Sequence, residues 1–276
     1  MPLDQIDVDN LPAQTGEEAE MSFLDHLEEL RWRIVRALGA MVVTGIIFFL
    51  AKDWVWDYVL LGVTHEGFPT YQLFCALGER LCMVPPEFEL QAVGFAEAFI
   101  LSIKTCFILG FVAAFPYVFY QVWGFIRPGL YETERKYTRG IVFICSALFM
   151  LGVLFGYFVI APFATNFLMG YTLPGVTNIP TASSFINYMI MFTLPAGVIF
   201  ELPVVVYFLA KVGLVTPEGM KKYRRHSIIA ILLLSALLTP PDVVTQFLIG
   251  IPLYILYEIS IFIARRVERD EAAAMA

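Results

Sequence analysis

Glu132 and Glu134 stand in the segment Phe119 to Lys136, FYQVWGFIRPGLYETERK, among the cations Arg127, Arg135 and Lys136. A carboxylate pair exposed on an otherwise basic face is suited to holding a cationic ligand through charge-assisted hydrogen bonds. A second acidic group precedes the first apolar run, where Glu28 and Glu29 come just before Arg31. Phe23, Leu24, Leu27, Leu30 and Ile34 recur there at helical spacing, so one face can lie along a membrane surface with the glutamates on or beside the other. That polar face is either simply solvated or part of a site. Ser22 and Asp25 give the segment a helix-start pattern.

Glu201 is set differently, inside the apolar run Val198 to Val204. A carboxylate within a membrane span costs about 3 kcal/mol or more unless it is paired, hydrated or protonated, which makes it a functional candidate by default. The alternative is a buried neutral Glu bonded to a backbone carbonyl freed by a proline. Asp242 follows Pro240 and Pro241 and opens a helix that it can cap at the positive end of the dipole. With Thr239 and Gln246 it forms a polar cluster, and polar side chains facing lipid invite a partner helix.

The elements that must position these groups are membrane spans. Of 276 residues, 59% are hydrophobic and 16% charged, and the mean hydropathy is +0.73, too apolar for a soluble domain of this length. The net charge of -7 owes much to Asp4, Asp7, Asp9, Glu17, Glu18 and Glu20, so residues 1–21 read as a disordered acidic tail. The start lacks the basic-then-apolar order of a cleavable signal, and the first span is expected to be retained as an anchor.

Apolar segments run from Ile34 to Leu50, Thr105 to Val122, Ile141 to Ala161, Phe185 to Ala210, Ser227 to Leu238 and Val243 to Ala264. Of the 18 Lys and Arg, all but Lys52, Arg80 and Lys104 fall on one side, which predicts six transmembrane helices with both termini cytoplasmic. The fifth segment would make only about 18 Å of helix against a hydrocarbon core of about 30 Å, so a recessed turn or a thinned bilayer is expected there. Pro116, Pro195, Pro203 and Pro252 lie inside spans and predict kinked helices forming a cupped surface. Residues 22–265 then form the membrane domain and residues 266–276 a C-terminal tail.

Among the cysteines, Cys106 and Cys145 fall inside spans, where they pack as small apolar residues. Cys75 and Cys82 share the first outer loop, either as free thiols or as a disulfide stapling that loop. His26, His65 and His226 have no metal-ligand spacing, and no hydrolase or phosphate-binding motif occurs. Nothing supports an enzyme, a cofactor or a nucleic-acid partner.

The motifs His26 to Arg31, Tyr120 to Trp123 with Tyr131 to Arg135, Phe200 to Pro203 and Leu238 to Val243 together resemble the TatC family, the multispanning receptor subunits of the twin-arginine protein translocase. The resemblance covers roughly residues 22 to 265. It implies export of folded proteins across a bacterial-type cytoplasmic membrane, driven by the proton motive force, with TatA- and TatB-type single-span partners. It further implies that Glu29 and Glu134 read the signal's arginines at the cytoplasmic face, helped by Arg31, Phe125 and Leu130. Glu201 and Asp242 would serve transport, and Thr239 and Gln246 would belong to a patch for partner helices.

Glu132 is expected to be a solvated neighbour. Gln72 to Pro86 looks like an insertion relative to the family, the acidic tail is longer than usual, and Arg127 stands where a neutral residue is more familiar. It is a candidate counter-ion for Glu132 or Glu134. The rival readings are a proton-coupled solute transporter using Glu201 and a structural subunit that scaffolds other helices. Residues 22–140 and 141–265 show no self-similarity of the kind many transporters carry.

Overall fold

The structure is a computed structural model that describes residues 23–78, 82–86, 88–126, 138–175, 178–238 and 243–275. Its helices are α1 (Phe23–Leu50), α2 (Lys52–Trp54), α3 (Pro69–Leu77), α4 (Glu97–Ile126), α5 (Thr138–Phe155), α6 (Ala161–Gly170), α7 (Ala182–Ile199), α8 (Leu202–Lys211), α9 (Pro217–Lys222), α10 (Arg224–Leu238) and α11 (Val243–Met275). A π-helix (Val55–Leu60) and a 3-10 turn (Leu61–Thr64) follow α2, and a second π-helix (Gly156–Ile160) joins α5 to α6. The described residues hold no strand, only one isolated bridge between Gln91 and Thr181.

Five stretches are long and apolar enough to cross a bilayer: Leu27–Leu50, Glu97–Phe125, Gly140–Gly170, Ala182–Lys211 and Gln246–Asp270. The fold is therefore all-helical and built for a membrane. The remaining apolar helix, α10, has 15 residues, about 22 Å at the α-helical rise and short of the hydrocarbon core.

The helix-start pattern at Ser22 to Asp25 matches the structure, in which α1 begins at Phe23 and runs unbroken through the amphipathic stretch to Leu50. The last helix runs past the apolar segment that closes at Ala264 and continues to Met275, since Arg, Glu and Ala all favour helix beyond the apolar stretch.

The prolines act unequally. Pro116 and Pro252 stay inside continuous helices, whereas Pro203 stands at the start of α8, just past the break at Phe200 and Glu201. Pro162 stands at the start of α6 beside the π-helix. Lacking an N–H, it cannot bond the carbonyl four residues back, Phe158. That carbonyl instead accepts the hydroxyl of Thr70 from α3.

Helices pack where glycine lets backbones touch. At the α1–α4 crossing a Cβ on Gly110 would lie 2.6 Å from Gly45 N, and Thr44 donates its hydroxyl to the Gly110 carbonyl at 2.8 Å. At the α5–α7 crossing a Cβ on Gly152 would lie 2.6 Å from the Ala196 carbonyl. Small residues at such crossings are how membrane helices gain close van der Waals packing. Beyond them α8 and α10 pack against α11. Only 11% of the α1 span is buried, against 44% for the last span, so α1 is peripheral and turns Val35, Val42, Ile46 and Leu50 outward.

The loop between α1 and α4 is folded against α6. Phe74 meets Phe163 edge-on with ring centroids 5.1 Å apart, and Asn166 donates to the Val84 carbonyl at 2.7 Å. A disulfide joins Cys75 to Cys82 in this loop.

Candidate functional site

Glu29 lies in the second turn of α1, and its position is set by the α1–α4 crossing. Four residues further along the same face, Arg33 bonds it: Nε donates to Glu29 Oε1 at 2.9 Å and Nη2 makes an ion pair with the same oxygen. Both donors of the guanidinium fork therefore converge on one carboxylate oxygen. The other oxygen, Oε2, is buried without a hydrogen-bond partner among the described residues.

The third nitrogen of the fork, Nη1, reaches across to the Gln121 carbonyl of α4 at 3.4 Å. It uses the space that glycine leaves at position 124. A Cβ on Gly124 would overlap the guanidinium, with Arg33 Cζ at 2.7 Å. Beside this seat Trp123 is buried against Phe208 of α8, ring centroids 4.9 Å apart, which fixes the end of α4. Glu28, Trp32 and Arg36 extend the site as a shallow cavity of about 320 Å³ along α1.

Of the other residues singled out for this site, Arg31 is exposed and Phe125 half-buried at the end of α4. Glu134, Leu130, Glu132 and Arg127 lie outside the described residues. The counter-ion of Glu29 is Arg33, which no sequence motif singled out, although its spacing of four residues from Glu29 on one helix was legible. Gly124 and the Gln121 carbonyl were not, since a backbone acceptor and a missing Cβ carry no side-chain signal.

Glu201 belongs elsewhere. It stands at the break between α7 and α8 without a side-chain cap bond, its carboxyl beside the Cys145 thiol and the Phe149 backbone of α5, and its Oε1 is buried with no hydrogen-bond partner among the described residues. Cys145 is fully buried there. Gln246 donates its amide to the Leu232 carbonyl at 3.0 Å and so ties α11 to α10. Thr239 and Asp242 lie outside the described residues. Neither Glu201 nor Gln246 touches the Glu29 seat.

A second ionic cluster, which no sequence motif marks, lies at the other junction of this end. Arg224 at the start of α10 pairs with Glu258 of α11 at 2.6 Å, and Tyr254 donates to the same carboxylate at 3.0 Å. Tyr257 meanwhile donates to the Met220 carbonyl of α9 at 2.7 Å.

What such an arrangement can do is hold a guanidinium on a carboxylate between two helices, at the end of the bundle from which the chain leaves α4. Known proteins share this architecture. The family description "Sec-independent protein translocase protein (TatC)" matches residues 25–252. The chain is 38% identical over 266 residues to the Sec-independent protein translocase protein TatC of Blattabacterium sp. subsp. Periplaneta americana, covering 93% of this chain and 99% of that one. It is 34% identical to the TatC of Aquifex aeolicus, over 91% of this chain and 98% of that protein. A crystal structure of a twin arginine translocase receptor, TatC, superposes with a TM-score of 0.67 at 32% identity, covering 88% of this chain and 99% of that one. With a family match over most of its length and relatives this similar, the chain belongs to the TatC family of Sec-independent protein translocase proteins.

Proposed function

We propose that this chain is the receptor and core subunit of a twin-arginine translocase, reading the paired arginines of export signals at its cytoplasmic face. The observation that carries the site assignment is that Glu29 already holds a guanidinium, from Arg33, at the crossing of α1 and α4. Carboxylates suit this task because a guanidinium is always charged and presents a planar fork, whereas lysine would keep the charge and lose the geometry. Glu134 is the second reader, supplied by the segment that follows α4. Arg31, Phe125 and Leu130 complete the contact surface.

In this reading α10 is the sixth crossing, both termini are cytoplasmic, and the membrane is a bacterial-type cytoplasmic one. Residues 1–21 form the acidic tail, 22–265 the membrane domain and 266–276 a cytoplasmic extension. TatA- and TatB-type single-span subunits bind near Thr239, Asp242 and Gln246, and the proton motive force drives export of the folded passenger. Glu201 serves transport, its unpartnered oxygen meeting a polar group of a partner helix or of the signal.

Neutralising Glu29 and Glu134 together to Gln should abolish crosslinking of a signal peptide to the chain in membranes. Unchanged yield in the double variant would remove both from the site. The bare oxygen of Glu201 also favours a second reading, a proton-coupled solute transporter. Reconstitution of the chain alone separates the two: signal-peptide binding without solute flux supports the receptor, and flux supports the transporter.

A further inference from the structure

Arg33 binds Glu29 in a way that a ligand arginine could improve upon. Because it is tethered four residues away on the same helix, its Nε and Nη2 both fall on Oε1 and leave Oε2 buried and bare. The strongest carboxylate–guanidinium geometry instead uses two parallel bonds to two oxygens. Its remaining contact, Nη1 to the Gln121 carbonyl, is long at 3.4 Å. The seat itself is nevertheless shaped for a planar cation, since Gly124 omits the Cβ that would collide with it.

The geometry points to Arg33 as an internal stand-in for the signal's arginine: it occupies the Glu29 seat in the empty receptor and must leave when an incoming guanidinium takes its place. This rests on the reading of Glu29 as an arginine-binding carboxylate and adds to it a competitor built into the receptor. The exchange conserves charge at the seat, one guanidinium for another, so it avoids leaving a half-buried carboxylate unpaired at any stage. A partly exposed pair spaced four residues apart is weak enough to be displaced. It also raises the threshold for ligands that cannot offer a fork, because lysine would have to displace a guanidinium without matching its geometry.

The test is a titration of the full chain in membrane vesicles with a fluorescently labelled synthetic signal peptide carrying adjacent arginines, repeated with adjacent lysines. Arg33→Gln should tighten the arginine peptide by roughly two- to tenfold, the range expected for removing a weak competing ion pair. It should tighten the lysine peptide at least as much, so that discrimination narrows. Arg33→Lys keeps the charge but loses the planar fork, and should shift affinity in the same direction by less. It also reports on the idea if Arg33→Gln fails to insert. Unchanged or weaker binding in both variants would overturn the stand-in and make Arg33 a support for Glu29. Glu29→Gln is the separate control: if it leaves binding intact, the assignment of Glu29 as an arginine reader fails, and the stand-in with it.

Discussion

Arg224 Nη2 lies 2.6 Å from Glu258 Oε2, while Tyr254 donates to the opposite oxygen of the same carboxylate at 3.0 Å. Glu258 therefore has both oxygens engaged, in contrast to Glu29, whose Oε2 is bare. The difference separates a structural carboxylate from one poised to accept more donors. Both partners of the Arg224 pair are part-exposed, so the loss on Glu258→Gln should be only about 1 kcal/mol. Thermal unfolding in detergent should show a modestly lower Tm with signal-peptide binding retained, and Glu29→Gln should show the reverse pattern.

At the α1–α4 crossing the backbone distances leave no room for a side chain. Gly110→Ala would set a Cβ 2.6 Å from Gly45 N and 2.9 Å from the Met41 carbonyl. The helices must part, and the Thr44 bond to Gly110 stretches with them. We expect destabilisation of about 1–3 kcal/mol, typical of overpacking. Because this same crossing sets the position of Glu29, a displaced α1 also misplaces the carboxylate, and signal-peptide binding should weaken as well. Thr44→Val, which removes the bond but not the close approach, should cost less in both measurements. Equal effects would mean that the hydrogen bond, not the glycine contact, holds the pair.

The spans were readable because apolar composition and bilayer thickness together dictate them, and Glu29 and Arg33 were readable as neighbours because a helix brings positions four apart together. What the sequence could not show was which faces cross. Nothing in the string marks Gly124 as the seat of Arg33 rather than one more small residue, or places Cys145 beside Glu201. Those are contacts between elements more than 50 residues apart, set by how backbones pack. The prolines illustrate the same limit. Pro116 and Pro203 look alike in sequence, yet only the second marks a helix break.

Glu201 should behave as a residue kept for function at a cost in stability. No ion pair to it occurs among the described residues, and its Oε1 is buried and unbonded. Burying an unpaired carboxylate is unfavourable, and an amide of the same shape relieves the charge. Glu201→Gln should therefore unfold at the same or a higher temperature than the parent while export of a folded reporter falls. A lower Tm with export intact would make Glu201 a structural residue.

Thr70 and Pro162 form a pair that a double-variant cycle can separate. Pro162 has no N–H for the Phe158 carbonyl, and Thr70 supplies the missing donor from α3. Thr70→Val removes the donor at nearly constant volume and takes this bond from a part-buried carbonyl, which should cost about 1–3 kcal/mol. Pro162→Ala restores a backbone N–H in the helix, so the same Thr70 substitution made in that background should cost markedly less. Thermal unfolding of the four variants measures the coupling directly, with an expected interaction energy of about 0.5–3 kcal/mol. If the two substitutions are additive, the hydroxyl is not replacing the lost helix bond, and α3 must be held on α6 by its aromatic contacts such as Phe74 on Phe163. In that case Phe74→Leu, not Thr70→Val, should be the variant that frees the loop to proteolysis.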